Sequence, residues 1–86
     1  MFRVVAHKKA LREIESLSSR DRIRVLKAIK EMESDPFLGD IKPLKPVKSL
    51  FRKRIGDFRI VFTLNFELSE VIIFRVGRRE RVYEKI

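Results

Sequence analysis

The stretch FRIVFTLNF (58–66) alternates without a break, with Phe58, Ile60, Phe62, Leu64 and Phe66 on one side and Arg59, Val61, Thr63 and Asn65 on the other. A period of two sustained over nine residues marks a strand with one buried face and does not suit a helix. Gly56 and Asp57 stand just before it, after the equally apolar-and-basic run LFRKRI (50–55), and read as a two-residue reversal. Such a reversal sets the register: Ile55 opposite Phe58, Arg54 opposite Arg59, Lys53 opposite Ile60 and Arg52 opposite Val61. Phe51, Ile55, Phe58, Ile60 and Phe62 then share one face, while Arg52, Arg54 and Arg59 share the other. Lys53 falls on the apolar face and is expected near the sheet edge, its stem lying along apolar surface and its ammonium reaching outward.

Arg54 and Arg59 thus become direct cross-strand neighbours, with Cβ atoms roughly 5 Å apart, an arrangement that weakens a sheet when both are merely solvated. The repulsion turns into attraction when a phosphate lies between two guanidiniums and accepts charge-assisted hydrogen bonds from both. The open face of the sheet is therefore expected to be an anion-binding platform; the competing reading is that the two side chains fan into water or meet Asp or Glu partners.

The rest of the chain supplies what covers the apolar face. FRVVA (2–6) suits a short first strand. Ala10, Leu11, Ile14 and Leu17 recur at helical spacing from Lys8 onward, predicting a helix of about ten residues. Ser18 and Ser19 interrupt it and cap a second helix with Asp21 in its first turn and Val25, Leu26, Ile29 and Met32 as its stripe; Pro36 forbids continuation. The segment 37–50 carries Pro43 and Pro46 and is expected to be a loop or an irregular edge, with Lys42, Lys45 and Lys48 either lining a phosphate path or simply solvated. EVIIFRV (70–76) gives a further strand of the meander, and the chain closes through Gly77 to a short element around Val82 and Tyr83. The fold expected is a single α+β domain over residues 1–86: a short N-terminal strand, then an antiparallel helix hairpin packed on one face of a small, mainly antiparallel sheet.

Composition narrows the partners. Among 86 residues, 21 Lys and Arg stand against 12 Asp and Glu, a net charge of +9. Residues 1–41 hold nine basic and seven acidic side chains, and residues 42–86 hold twelve and five, so the excess belongs to the hairpin half. That imbalance points to a polyanion or an acidic protein. No Cys is present, which removes disulfides, thiolate nucleophiles and zinc–thiolate sites. The apolar runs span only a few residues and the N-terminus lacks a signal peptide's apolar centre, so a cytoplasmic protein without a membrane partner is expected. Gln is absent, Asn65 is the one Asn and 38% of residues are charged, a bias like that of thermophile proteins.

Two motifs then carry a family likeness. LFRKRIGDFRIVF (50–62) resembles the aromatic-basic-apolar-basic-apolar-Gly-aromatic-Arg pattern of the RelE/ParE superfamily of toxin–antitoxin toxins, and VGRRERVY (76–83) resembles its Val-Gly-x-Arg…Val-Tyr ending. The order of elements agrees as well, over nearly the whole chain. The RelE branch cleaves messenger RNA in the ribosomal A site without a metal: the ribose 2′-OH attacks the adjacent phosphate and leaves a 2′,3′-cyclic phosphate and a 5′-OH. By this resemblance Arg52 and Arg54 match two basic positions of the first hairpin strand. Arg59 matches the arginine on the scissile phosphate, Arg79 the one that supports the transition state, and Tyr83 the tyrosine near the nucleophile, as stacking partner or proton acceptor. The family's early basic positions are typically lysines; arginine keeps its proton far above neutral pH, so Arg54 is expected to stabilise charge. Proton transfer is then left to Tyr83, to the ribosome, or to Lys53 in another register.

The catalytic set implied is Arg54, Arg59, Arg79 and Tyr83, with Arg52, Lys53, Lys45, Lys48, Arg78 and Arg81 on RNA phosphates and no cofactor or metal. The lone His7, placed after the first strand, reads as a surface residue, and no His–Glu pair or carboxylate cluster is placed for another nuclease mechanism. Two other functions share the scaffold: a ParE-like, non-enzymatic toxin acting on DNA gyrase, and an inactive relative that only binds RNA. Under either toxin reading the expected partner is a small acidic antitoxin, forming a toxin–antitoxin complex over the basic face; under the RelE reading the ribosome and mRNA join it.

Overall fold

The strand-forming half of the chain builds the platform and the helical half roofs it. In the computed structural model, which describes residues 1–45 (Lys45 by its backbone), 49–78 and 82, seven elements follow one another. They are β1 (Arg3–Ala6), α1 (Lys8–Glu15), α2 (Ser19–Glu31), β2 (Asp40–Lys45), β3 (Leu50–Ile55), β4 (Phe58–Asn65) and β5 (Glu70–Arg78). One sheet holds all five strands in the order β1-β5-β4-β3-β2. β1 runs parallel to β5, a pairing that needs the helical crossover between them, and the other neighbours are antiparallel.

Local chemistry places the helices where the sequence puts them. Ser18 adopts extended backbone and its hydroxyl accepts from the Asp21 N–H at 3.2 Å, with Asp21 in the positive first turn of α2. Arg22 ties the short inter-helix connection together, donating from Nη2 to the carbonyls of Glu15 and Leu17. Ala10 and Ile14 from α1 and Val25, Ala28 and Met32 from α2 bury against Phe58, Ile60, Phe62, Val71, Ile73 and Val76 of the sheet. The stripe differs from expectation at two positions. Leu11 and Leu26 are half exposed, because small Ala10 and Ala28 take the sheet-facing places and leave both leucines along an inter-helix groove lined also by Val4, Ile14 and Ile29. No helix among the described residues is long and apolar enough to cross a membrane.

The segment expected to be a loop or irregular edge is the edge strand β2, its register shifting between Pro43 and Lys45. A proline is tolerated there because its missing N–H faces no further strand. Beneath the sheet, on the side away from the helices, Leu50, Val61 and Val82 form a second, smaller cluster against Leu44 and Phe74.

Candidate phosphate-binding cleft

The hairpin register is the one the alternation predicts: Ile55 with Phe58, Arg54 with Arg59, Lys53 with Ile60 and Arg52 with Val61. Gly56 carries φ +56° while Asp57 stays out of the left-handed region, the pattern of a hairpin turn whose first central residue must be glycine. A Cβ at Gly56 would also collide with the Arg24 guanidinium of α2. The turn thus fixes Arg54 and Arg59 opposite each other on the face the helices leave uncovered.

Their partners differ. Asp40, at the start of β2, reaches between Arg52 and Arg54: its carboxylate lies 3.2 Å from Arg52 Nη1 and 3.8 Å from Arg54 Nε. Arg52 is almost enclosed, at 7% exposure, and Arg54 is half exposed. Arg59 donates from Nη1 to the Asp57 carbonyl at 3.0 Å and has no carboxylate partner among the described residues. One arginine of the cross-strand pair therefore shares a carboxylate with Arg52, and the other is held, among the described residues, by a backbone oxygen.

Lys53 corrects an expectation. Because β2 is hydrogen-bonded outside it, β3 is internal, and Lys53 is 4% exposed on the helix side with Nζ 3.9 Å from Glu31 of α2. The register stands, and a carboxylate from the helix layer is what tolerates the charge, so this ammonium does not face outward at an edge as expected and is turned away from the open face. Arg78 likewise leans toward the helices, its guanidinium 5.1 Å from the centre of the Phe58 ring and 3.1 Å from Asp21. It remains largely exposed and lines the rim of the cleft.

The cleft itself, about 610 Å³, is bounded by Glu13, Asp57, Arg59, Arg75, Gly77, Arg78 and Val82. A β-bulge shapes it. Val61 pairs with Arg75 but Phe62 pairs with Ile73, so Phe74 is the extra residue of β5. The extra residue turns both Phe74 and Arg75 toward the open face, where strict alternation would have sent Arg75 under the helices. Directly opposite Arg59 is Gly77, whose missing side chain leaves the room that Val82 takes. A Cβ there would stand 2.6 Å from Val82 Cγ1, so the seat of Val82 at the floor of the cleft depends on this glycine.

The side of the cleft is finished from α1. β1 ends its pairing at Ala6 with Ile73, and beyond that point Glu13 takes over the edge of β5, accepting the Val76 N–H at 2.9 Å. The same carboxylate accepts Arg75 Nε at 3.2 Å and Nη2 at 3.0 Å. Arg75 and Glu13 are the site residues that sequence reasoning missed; an arginine two places before a glycine in an otherwise apolar strand was the available signal. His7 caps α1 as an exposed residue with its ring against Phe74, outside the cleft lining. Arg79, Arg81, Tyr83, Lys48 and the side chain of Lys45 lie outside the described residues. Among the described residues no group of His, Cys, Asp and Glu is placed to hold a metal.

The roofed mixed sheet is shared with known toxins. The family described as the ParE toxin of the type II toxin–antitoxin system, parDE, matches residues 4–83. A Methanocaldococcus jannaschii protein assigned by name as toxin RelE1 is 29% identical over 86 residues, covering 96% of each chain. The RelE–RelB complex of Pyrococcus horikoshii superposes with a TM-score of 0.81 at 26% identity, over 93% of this chain and 97% of that one. The isolated Escherichia coli RelE toxin has the same fold, with a TM-score of 0.78 at 22% identity over 99% and 94%. The chain belongs to the RelE/ParE superfamily of toxins of type II toxin–antitoxin systems.

Proposed function

We propose that this toxin is a ribosome-dependent mRNA endoribonuclease whose cleft binds the scissile phosphodiester. The observation that carries the reading is Arg59: it opposes Arg54 across the hairpin, lines the cleft, and has no carboxylate partner among the described residues. As the 2′-OH attacks phosphorus, negative charge grows on the non-bridging oxygens, and guanidiniums already in place stabilise it more than the ground state. Walls of arginine favour an anion and repel a divalent cation, which suits chemistry without a metal. By the family resemblance Arg79 completes the charge stabilisation and Tyr83 serves the nucleophile, while Arg54 acts as a charge rather than a base. Messenger RNA and the ribosome are then the partners, and the cytoplasm the site of action. The similarity to RelE proteins in sequence and structure supports this branch.

The matched family is named for ParE, and this favours a second reading, a gyrase-directed toxin acting by protein contact. Both readings include an antitoxin. The P. horikoshii relative and the Mycobacterium tuberculosis RelBE2 relative were solved as toxin–antitoxin complexes. Here an acidic segment over Arg54, Arg59 and the rest of the open face would quench the +9 chain.

The test is a purified translation reaction supplemented with the chain, run beside a gyrase supercoiling assay. New mRNA ends inside codons, formed only when ribosomes translate, with supercoiling untouched, are expected. Intact messenger together with blocked supercoiling would transfer the protein to the ParE reading. RNA binding without cleavage, weakening steeply with salt, would leave a phosphate-gripping relative.

A further inference from the structure

Arg59 and Arg75 are diagonal neighbours across β4 and β5. Arg59 pairs with Gly77 and Arg75 with Val61, two places along on the same face. Positions so related lie roughly 7–8 Å apart, somewhat less at Cβ, within reach of a shared target for long side chains. Val82 sits on Gly77 at the floor of the cleft, and both arginines line it. We propose that Arg75 is a phosphate-contacting residue of this cleft and that Glu13 is the positioning residue that holds it there. The inference rests on the reading of the cleft as a phosphodiester site.

Glu13 does two jobs at once. Its Oε1 takes the Val76 N–H, beyond Ile73 where no described strand pairs with that edge of β5, and both oxygens receive the Nε/Nη2 side of the Arg75 guanidinium. Sealing a strand edge requires only the first contact. The second fixes a cation at 14% side-chain exposure in the wall of the cleft. An arginine already held loses less freedom when an anion arrives, and its donors need not reorient as charge develops. With four donor contacts on its two oxygens, Glu13 is placed to orient Arg75 and not to abstract a proton.

The experiment measures kcat and KM for mRNA cleavage on translating ribosomes, with melting curves for every variant and assays run well below the lowest melting point. Arg75→Ala is expected to lower kcat/KM by about 10²-fold, the usual loss for one preorganised donor. Arg75→Lys, which keeps the charge, recovers part of it. Glu13→Gln retains the Val76 acceptor and gives a smaller loss. The double variant Arg75→Ala with Glu13→Gln cleaves no worse than Arg75→Ala alone, because Glu13 acts through Arg75. If Arg75→Ala does not fold, Arg75→Lys and Glu13→Gln carry the test. A folded Arg75→Ala protein that cleaves at the wild-type rate overturns the inference, as do losses that multiply in the double variant. A wild-type chain that does not cleave, or an Arg59→Ala variant that cleaves normally, removes the phosphodiester reading as well. Loss in Arg59→Ala with none in Arg75→Ala removes this inference alone.

Discussion

The two faces of the sheet handle positive charge in opposite ways. On the helix side, enclosed Lys53 meets Glu31 and the largely exposed Arg78 meets Asp21 at the rim of the cleft, each carboxylate coming from α2. On the open face, Asp40 serves both Arg52 and Arg54, Glu13 holds Arg75, and Arg59 has only a carbonyl among described partners. A charge enclosed by the fold needs its counter-ion inside the fold, since desolvation without a partner is costly. A charge left at an open cleft can take its counter-ion from a ligand. Of the three described guanidiniums that line the cleft, Arg75 and Arg78 have carboxylate partners, and Arg59 has none among the described residues. Among the described cations of the open face, pairing singles out Arg59; Arg52, Arg54 and Arg75 each stand beside a carboxylate.

Substitutions can break that contrast. Phe62→Ala, at 0% exposure beneath the helices, should cost about 3–5 kcal/mol in chemical denaturation, a large part of a small domain's stability. Arg59→Ala should do the reverse, lowering cleavage about 10²–10³-fold while stability moves by less than about 0.5 kcal/mol; a stability loss like that of Phe62→Ala would make Arg59 a fold residue. Gly77→Ala should destabilise by about 1–3 kcal/mol by driving a methyl into Val82, and should also impair cleavage by displacing Val82 from the floor of the cleft. Lys53→Met, which replaces an enclosed ion-pair partner with an apolar chain of similar length, should leave stability unchanged or raise it by about 1 kcal/mol, as thermal melts would reveal. Arg3→Ala removes an exposed ion pair with Glu70 at the β1 edge and should shift stability by less than about 1 kcal/mol.

What the sequence discloses follows the range of the interaction. The β3–β4 register was legible because Gly56 and the flanking alternation are local and mutually consistent. The Ser18 cap was legible for the same reason. The bulge at Phe74 was not, since a one-residue slip in β5 leaves no mark on a short apolar run, and with it went Arg75. Glu13 and Glu31 were equally hidden, because nothing near them in the chain says which strand residue they will meet. The place of Lys53 was misread through β2, whose Pro43 conceals an added strand that makes β3 internal. Leu11 and Leu26 fit the helical period yet border a groove, because the alanines beside them set how closely the helices approach.

One side-by-side assay bears most directly on the claim that the open face, and not the enclosed lysine, serves a phosphodiester. Arg59→Ala and Lys53→Met proteins of matched folded fraction are added to translating ribosomes, and mRNA 5′ ends are mapped. The account predicts wild-type ends with Lys53→Met and almost none with Arg59→Ala. Undiminished cleavage by Arg59→Ala, or its loss in a folded Lys53→Met protein, would contradict it.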